Sequence, residues 1–132
     1  MKLVEKVTGL DRNSATTLST VTDKWPLCDH RGINCLVSIE LVAQTSALAI
    51  GWEVLQSKNN DDMQGKGWLV GIKEASFNRE IIPLNTKITT RAEITLNMNN
   101  YSEVSGYTSM ENEQLSTIKL QVLRMDKEAG GE

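Results

Sequence analysis

The chain has 132 residues, a net charge of −3 at pH 7, 39% hydrophobic residues and 23% charged residues. This length fits one domain, residues 1–132, and the composition is typical of a soluble globular protein. The mild acidity, without a basic stripe interleaved with aromatic residues, argues against nucleic-acid binding. The start of the chain has no apolar run typical of a secretory signal, and polar residues interrupt the longest apolar segment. We therefore expect a cytoplasmic protein without a membrane span.

The two cysteines, Cys28 and Cys35, are expected to be reduced thiols in that compartment. Six residues separate them, and the chain contains a single histidine. These are too few ligands at the wrong spacing for a zinc site. The sequence predicts no metal site and no cofactor.

The first half of the chain predicts two strands and one long helix. The strands cover residues 3–10 and 14–22, with a turn at 11–13. The second segment is predicted to be a strand because it is rich in Thr and Val and lacks a helical stripe of apolar residues. Residues 34–56 are predicted to form the helix. Its apolar residues lie on nearly every face, which is typical of a helix surrounded by protein.

The second half predicts four strands, at residues 68–77, 86–97, 101–110 and 115–125. The strand at 86–97 alternates most clearly and is predicted to place one set of residues on one face: Ile88, Thr90, Ala92, Ile94 and Leu96. One helix with these strands predicts an α+β architecture in which an antiparallel sheet wraps the helix. Remaining apolar surface and unpaired sheet edges favour a dimer.

Glu40 is the only formally charged residue between Arg31 and Glu53. A carboxyl group that is removed from water can hold or exchange a proton near neutral pH, so Glu40 is a catalytic candidate. The alternative is a buried carboxyl group satisfied by neighbouring side chains or by a partner subunit. Gln44 lies one turn later on the same face. It is expected either to position Glu40 or a site water, or to bond the helix to the sheet.

The loop before the helix contributes further candidates. His30 is a candidate base because an imidazole titrates near neutrality, or else it is a polar loop residue. Asp29 either orients that ring or enters the site itself. Asn34 is expected to cap the helix, while the amides of Cys35 and Leu36 lie where free N–H groups point outward. Cys35 is not expected to be a nucleophile, because nothing nearby in the sequence favours its thiolate.

Two segments carry a family resemblance. One is Glu40-Leu-Val-Ala43-Gln44 on the predicted helix, and the other is Phe77-Asn-Arg79-Glu-Ile81-Ile82-Pro83-Leu-Asn85. In this order they are similar to the E-x-x-A-Q and F-x-R-x-hydrophobic-hydrophobic-P-x-[D/N] motifs of β-hydroxyacyl-acyl carrier protein dehydratases, which have the hotdog fold. Over roughly residues 15–125 the chain most resembles the small dehydratase-like hotdog proteins of aryl-polyene-type biosynthetic clusters.

The resemblance implies a (3R)-hydroxyacyl thioester dehydratase of fatty-acid or polyene-type biosynthesis, acting on an acyl thioester of acyl carrier protein or CoA. In the family, the site forms at a dimer interface. A histidine of one subunit removes the proton alpha to the thioester, and a helix carboxylate of the other helps the β-hydroxyl leave as water. Glu40 is then the acid and His30 the base, in a homodimer, a higher oligomer or a heteromer with a homologue. Substrate binding is expected from five residues: Asn34, Cys35, Leu36, Gln44 and Phe77.

The loop before the helix differs from the family motif G-H-F-P-x-x-P-x-x-P-G-V-L. It reads Trp25-Pro-Leu-Cys-Asp-His30-Arg-Gly32-Ile-Asn-Cys35, and His30 lies ten residues before Glu40, closer than in the family. Two alternatives therefore stay open. One is an acyl thioesterase in which Glu40 activates water, and the other is a non-catalytic subunit that binds acyl chains or pairs with an active homologue.

Two further groups of residues each have two interpretations. Trp52, Trp68 and Phe77 are expected to pack the core or, alternatively, to line an acyl tunnel. The basic residues Arg31, Lys66, Lys73 and Arg79 are expected to form a patch for an acidic carrier protein or simply to be solvated.

Overall fold

The computed structural model describes residues 2–56 and 67–125, with side chains described over 2–51 and 70–123. The elements are β1 (Lys6–Leu10), β2 (Ser14–Thr20), β3 (Cys28–Asp29), β4 (Gly32–Asn34), α1 (Val37–Gln56), β5 (Gly67–Phe77), β6 (Ile81–Ile82), β7 (Lys87–Met98), β8 (Tyr101–Met110) and β9 (Glu113–Met125).

A six-stranded antiparallel sheet in the order β1-β2-β7-β8-β9-β5 forms most of the fold. Helix α1 packs across one face of it, chiefly against β7, β2 and β8. This arrangement confirms the predicted α+β class. A second sheet in the order β3-β4-β6 was not predicted. Its strands have only two or three residues each, which is too short for an alternating pattern to appear in the sequence.

The predicted alternation of β7 is correct for most of its length. Ile88, Thr90, Ala92 and Ile94 are buried beneath α1. Leu96 was expected on the same face, but it is exposed because a bulge shifts the register between Ile94 and Leu96. One extra residue in a strand reverses the orientation of the side chains that follow.

A row of hydroxyl side chains crosses the sheet between two apolar clusters. Thr17, Thr90, Thr108 and Ser116 are register partners on four neighbouring strands. Thr45 of α1 bonds to Thr17, with 2.8 Å between the hydroxyl oxygens, and Thr108 bonds to Ser116 at 2.6 Å. We call the four strand residues the hydroxyl row. It separates a cluster around Leu41 and Ile88 from one around Val42 and Ala92.

Gly106 lets the helix approach the sheet closely. It lies on β8 between Val104 and Thr108, both of which are buried beneath α1. A Cβ atom at position 106 would lie 2.5 Å from Val42 Cγ1 of the helix. Real Cβ atoms do not approach other carbons this closely, so the absence of a side chain at position 106 sets the separation between helix and sheet.

Helix α1 begins at Val37, three residues later than predicted, and within residues 37–51 two side chains are exposed. Val37, Leu41 and Val42 are buried against the sheet, whereas Glu40 and Ala47 are exposed on the opposite side. Most of the described helix surface is therefore covered, as predicted, apart from the side that carries Glu40 and Ala47. We call this exposed side the open face of α1.

Both edge strands of the large sheet carry a bulge. Thr8 has no residue opposite it on β2, and Lys73 has none on β9. Each edge strand has an exposed apolar side chain, Val7 on β1 and Val70 on β5. Both side chains lie on the face of the sheet against which α1 packs. The helix therefore leaves part of each edge strand uncovered.

Candidate active site around the start of the helix

The turn before α1 uses the amides of Cys35 and Leu36, which were expected to have free N–H groups and to bind substrate. The Asn34 side chain accepts a hydrogen bond from the Leu36 N–H at 2.9 Å, which holds the turn just before α1 and does not reach the first helical residue, Val37. The Cys35 N–H donates to the backbone carbonyl of Glu80 at 2.7 Å. Both donors are therefore occupied within the chain, and the expectation that they are free is wrong.

The Cys35 thiol lies in the apolar cluster beneath α1 and is buried. Burial raises its pKa, an effect only partly offset by a hydrogen-bond contact with the Ser38 hydroxyl, 3.6 Å away. A buried thiol that stays protonated is a poor nucleophile. The structure therefore supports a packing role for this side chain.

Glu40 lies in the first turn of α1, on its open face, and its side chain is exposed. The expectation that Glu40 is removed from water is therefore wrong for the single chain. Gln44 Nε2 donates a hydrogen bond to Glu40 Oε2 at 3.1 Å. A carboxylate near the N-terminus of a helix also interacts favourably with the helix dipole. The carboxylate is thus oriented within the chain while it remains open to a ligand or a partner.

Gln44 also connects the helix to the start of the chain. Its Oε1 accepts the backbone N–H groups of Leu3 at 2.8 Å and of Val4 at 3.2 Å. The bond to Glu40 fits the first predicted role of Gln44. The bonds to Leu3 and Val4 join α1 to the segment before β1, and not to a strand of the sheet as the alternative expected. The contribution of residues 3 and 4 could not be predicted, because some forty positions separate them from Gln44 along the chain.

His30 lies at the tip of the β3–β4 hairpin and is exposed. Within the described residues, no hydrogen bond or ion pair joins it to Glu40. Asp29 does not orient the imidazole, because its carboxylate accepts the Arg31 N–H at 2.7 Å and the Arg31 guanidinium at 2.9 Å. These two hydrogen bonds lower the pKa of Asp29.

The loop that leads to this hairpin contains a strained residue that the sequence did not reveal. Leu27 has a φ of 64°, which is unfavourable for a bulky side chain, and that side chain is exposed. Its carbonyl oxygen accepts the Asn34 N–H at 3.0 Å. Through this hydrogen bond, Leu27 connects the loop before His30 to Asn34, which lies just before the start of α1.

Three of the four residues of the expected basic patch are described, and each of them forms an ion pair with a carboxylate. These three residues therefore do not form a free basic patch. Arg31 pairs with Asp29, Lys73 with Glu103 and Arg79 with Glu113, at distances of 2.9, 3.1 and 3.3 Å. The fourth member, Lys66, lies outside the described residues.

Phe77 is partly buried and packs against both apolar clusters, which supports the core interpretation of this residue. The side chains of Trp52 and Trp68 lie outside those that the structure describes. No helix within residues 2–56 and 67–125 has the length and apolar character needed to cross a membrane. In the same residues, no group of three or more His, Cys, Asp or Glu side chains could hold a metal ion.

Solved structures share this fold at low sequence identity. The chain is similar to the dehydratase heterocomplex ApeI:P from Xenorhabdus doucetiae, with a TM-score of 0.78 and 17% identity over 96% of this chain and 85% of that one. It is similar to Cj0977, a sigma28-regulated virulence protein from Campylobacter jejuni, with a TM-score of 0.72 and 14% identity over 94% and 85%. It is also similar to a hypothetical thioesterase protein with coenzyme A from Streptococcus pneumoniae TIGR4, with a TM-score of 0.71 and 7% identity over 92% and 85%. These likenesses confirm the predicted hotdog fold.

A comparison with curated proteins finds no match. Residues 1–130 match the family model that is described as ApeP-like, ApeP dehydratase. The match covers nearly the whole chain and confirms the resemblance seen in its two motifs. The protein belongs to the ApeP-like family of dehydratases.

Proposed function

We propose that this protein is a (3R)-hydroxyacyl thioester dehydratase in which Glu40 is the acid and two subunits build the site. Membership of a dehydratase family supports the reaction class. The position of Glu40 carries the proposal for the site, because the carboxylate is held by Gln44 on the open face of the first helical turn. A subunit or a substrate that covers this face would remove the carboxylate from water.

The edge strand β5 is the proposed contact for a second subunit. Val70 and Ile72 are 53% and 54% exposed, although their register partners on β9, Val122 and Leu120, are buried. Pairing of two β5 strands would satisfy the open edge and cover these side chains. We propose a homodimer. A homologous chain in the second position is the alternative, which the name of the Xenorhabdus heterocomplex suggests.

In the proposed reaction, a base takes the proton alpha to the thioester and the bond between the β-carbon and its oxygen breaks. The Glu40 carboxyl group protonates the leaving hydroxyl, so the products are water and an unsaturated thioester, and the proton on the base then restores Glu40. His30 of the other subunit is the proposed base, because the imidazole is exposed on its hairpin and does not contact Glu40 of its own chain. The substrate is proposed to be carried by acyl carrier protein or CoA.

The remaining predicted binding residues take different parts in this proposal. Gln44 orients Glu40, and Asn34 holds the turn from which α1 starts. The Cys35 and Leu36 amides are engaged within the chain, so they are not proposed to stabilise the thioester oxygen. Phe77 belongs to the core behind the site.

An acyl thioesterase is the second candidate. The exposure of Glu40 and the lack of a contact with His30 favour it, because a carboxylate in contact with water can activate that water against a thioester carbonyl. A non-catalytic subunit is the third candidate, which the altered loop at Trp25–Cys35 favours.

A purified sample incubated with a 3-hydroxydecanoyl carrier-protein thioester and analysed by mass spectrometry distinguishes the three candidates. Loss of water supports dehydration, release of the free acid supports hydrolysis, and binding without turnover supports a non-catalytic subunit. Because general acid catalysis contributes about a hundredfold or more, Glu40→Gln should reduce turnover by at least that factor. His30→Ala should impair dehydration far more than hydrolysis.

Glu93→Gln is the matched control, because Glu93 is an exposed glutamate on β7 that takes no part in the proposed site. It should retain full activity. If Glu40→Gln is as active as this control, the assignment of Glu40 is wrong.

A further inference from the structure

Residues 3–5, the segment before β1, are anchored to both layers of the fold. The side chains of Leu3 and Val4 are only 3% and 7% exposed, and Leu3 belongs to the apolar cluster that contains Leu41 of α1. The Glu5 N–H donates to a backbone carbonyl of β2 at 3.0 Å. The segment is therefore held to the helix by packing and to the sheet by hydrogen bonding.

This anchored segment fixes the side-chain amide of Gln44 in one orientation. Gln44 Oε1 accepts the N–H groups of Leu3 and Val4, and Nε2 donates to Glu40 Oε2. The reverse orientation would place the NH2 group against two N–H donors and the carbonyl oxygen against a carboxylate, so neither end could form its hydrogen bond. The two backbone donors therefore determine that Glu40 meets a donor.

The hydrogen bond from Gln44 suits Glu40 in both of its protonation states. A carboxylate accepts through either oxygen, and a protonated carboxyl group still accepts through the oxygen that carries no proton. Donation to Oε2 therefore favours Oε1 as the oxygen that carries the proton in the neutral form. The contact orients the carboxyl group for transfer of that proton and does not have to break during the transfer.

We propose that the segment before β1 is a positioning element of the active site, which acts on Glu40 through Gln44. Leu3 and Val4 hold the Gln44 amide with their backbone N–H groups, and the amide holds Glu40 so that Oε1 gives its proton to the leaving hydroxyl. This inference rests on the proposed role of Glu40 as the acid. It makes the rate of turnover depend on two residues that do not contact the substrate.

Replacement of a single backbone N–H group by oxygen tests the proposal, because an ester bond removes the donor and keeps the side chain. A synthetic peptide of residues 1–27 with an ester at Leu3 or at Val4 is joined to expressed residues 28–132 by ligation at Cys28. Each ester should lower kcat about twofold to tenfold, which corresponds to the loss of one neutral hydrogen bond. KM should stay unchanged.

An ester at Val21 is the matched control, because it removes the same group from the same type of residue as the ester at Val4. The Val21 N–H donates to the Thr86 carbonyl at 2.9 Å, and neither residue takes part in the proposed site. This ester should destabilise the fold about as much as the ester at Val4 and should leave kcat unchanged.

NMR of the resting protein gives a second result that is independent of turnover. Isotopic labelling of the expressed fragment makes the side-chain amide of Gln44 and the carboxyl group of Glu40 visible. Their signals should shift in the esters at Leu3 and Val4, because the Gln44 amide is then less firmly held. They should stay in place in the ester at Val21.

The buried side chain of Leu3 offers a test by ordinary mutagenesis. Leu3→Ala removes packing that holds the segment, so it should lower kcat and shift the Gln44 amide signals. Leu3→Met keeps nearly the same volume and should change neither.

The outcomes separate this inference from the proposed function. Unchanged kcat in the esters at Leu3 and Val4, together with an inactive Glu40→Gln variant, would overturn this inference and leave the proposed function intact. A fully active Glu40→Gln variant would overturn both. An equal loss of kcat in the ester at Val21 would also contradict the inference, because the loss would then follow stability and not the position of Glu40.

Discussion

Two buried threonines of the hydroxyl row, Thr17 and Thr90, are expected to respond in opposite directions to the same substitution. They lie opposite each other on β2 and β7, and both are fully buried. Thr17 bonds to Thr45 at 2.8 Å, whereas the Thr90 hydroxyl has no hydrogen-bond partner among the described residues. Valine has nearly the same shape as threonine, so Thr→Val at either position mainly tests the hydroxyl group.

The expected free energies follow from these contacts. Thr17→Val leaves the Thr45 hydroxyl buried without this partner, and such a group costs about 1–3 kcal/mol. Thr90→Val removes a buried hydroxyl that is already unpaired, so the free energy of unfolding should rise by about 1 kcal/mol. The two variants should therefore differ by about 2 kcal/mol or more in the free energy of unfolding.

Urea unfolding of the wild-type protein and both variants measures this difference directly, provided that the dependence on urea concentration stays the same. Ser19→Ala is the matched control, since the Ser19 hydroxyl is also buried without a hydrogen-bond partner in the described part of the chain. It should not share the loss seen with Thr17→Val. Equal destabilisation by Thr17→Val and Thr90→Val would refute the reasoning, because it would mean that the Thr90 hydroxyl is satisfied, for example by an internal water.

Three further predictions concern other parts of the fold. Gly106→Ala should destabilise the protein in urea by about 1–3 kcal/mol, because the new Cβ meets Val42. Adding Val42→Ala should recover part of that loss, and a purely additive result would contradict the proposed contact. Leu27→Gly should raise the unfolding midpoint, with a gain of up to about 1 kcal/mol, because the left-handed backbone no longer opposes a side chain that is exposed. A lower midpoint would show that Leu27 packs against something essential. Iodoacetamide should label Cys28 in the folded protein and Cys35 only in urea, because Cys28 is exposed and Cys35 is buried. Peptide mass spectrometry checks this order, and early labelling of Cys35 would contradict its burial.

The long elements of the fold could be predicted from the sequence because their patterns are local. The alternation in β7 placed Ile88, Thr90, Ala92 and Ile94 correctly on the buried face. The failure at Leu96 has a physical cause, since a bulge depends on the pairing with β8 and leaves no mark in the spacing of apolar residues.

The candidate site was only partly predictable, because its details depend on contacts between distant residues. Glu40 and Gln44 were correctly placed one turn apart, and they bond to each other. The engagement of the Cys35 amide by Glu80 could not be predicted, since forty-five positions separate the two residues along the chain. The exposure of Glu40 was missed because apolar residues flank it on both sides in the sequence, whereas the helix leaves the side of Glu40 uncovered.

The two bulges at the edges of the large sheet bear on how copies of this protein associate. A regular edge would accept a strand from any neighbour, and sheets could then extend without limit into fibrils. Thr8 and Lys73, which have no register partner on the neighbouring strand, interrupt the two edges. An interrupted edge pairs well only with a strand whose irregularity falls at the matching place. Open-ended polymerisation is thereby discouraged, while a closed assembly of defined size remains accessible.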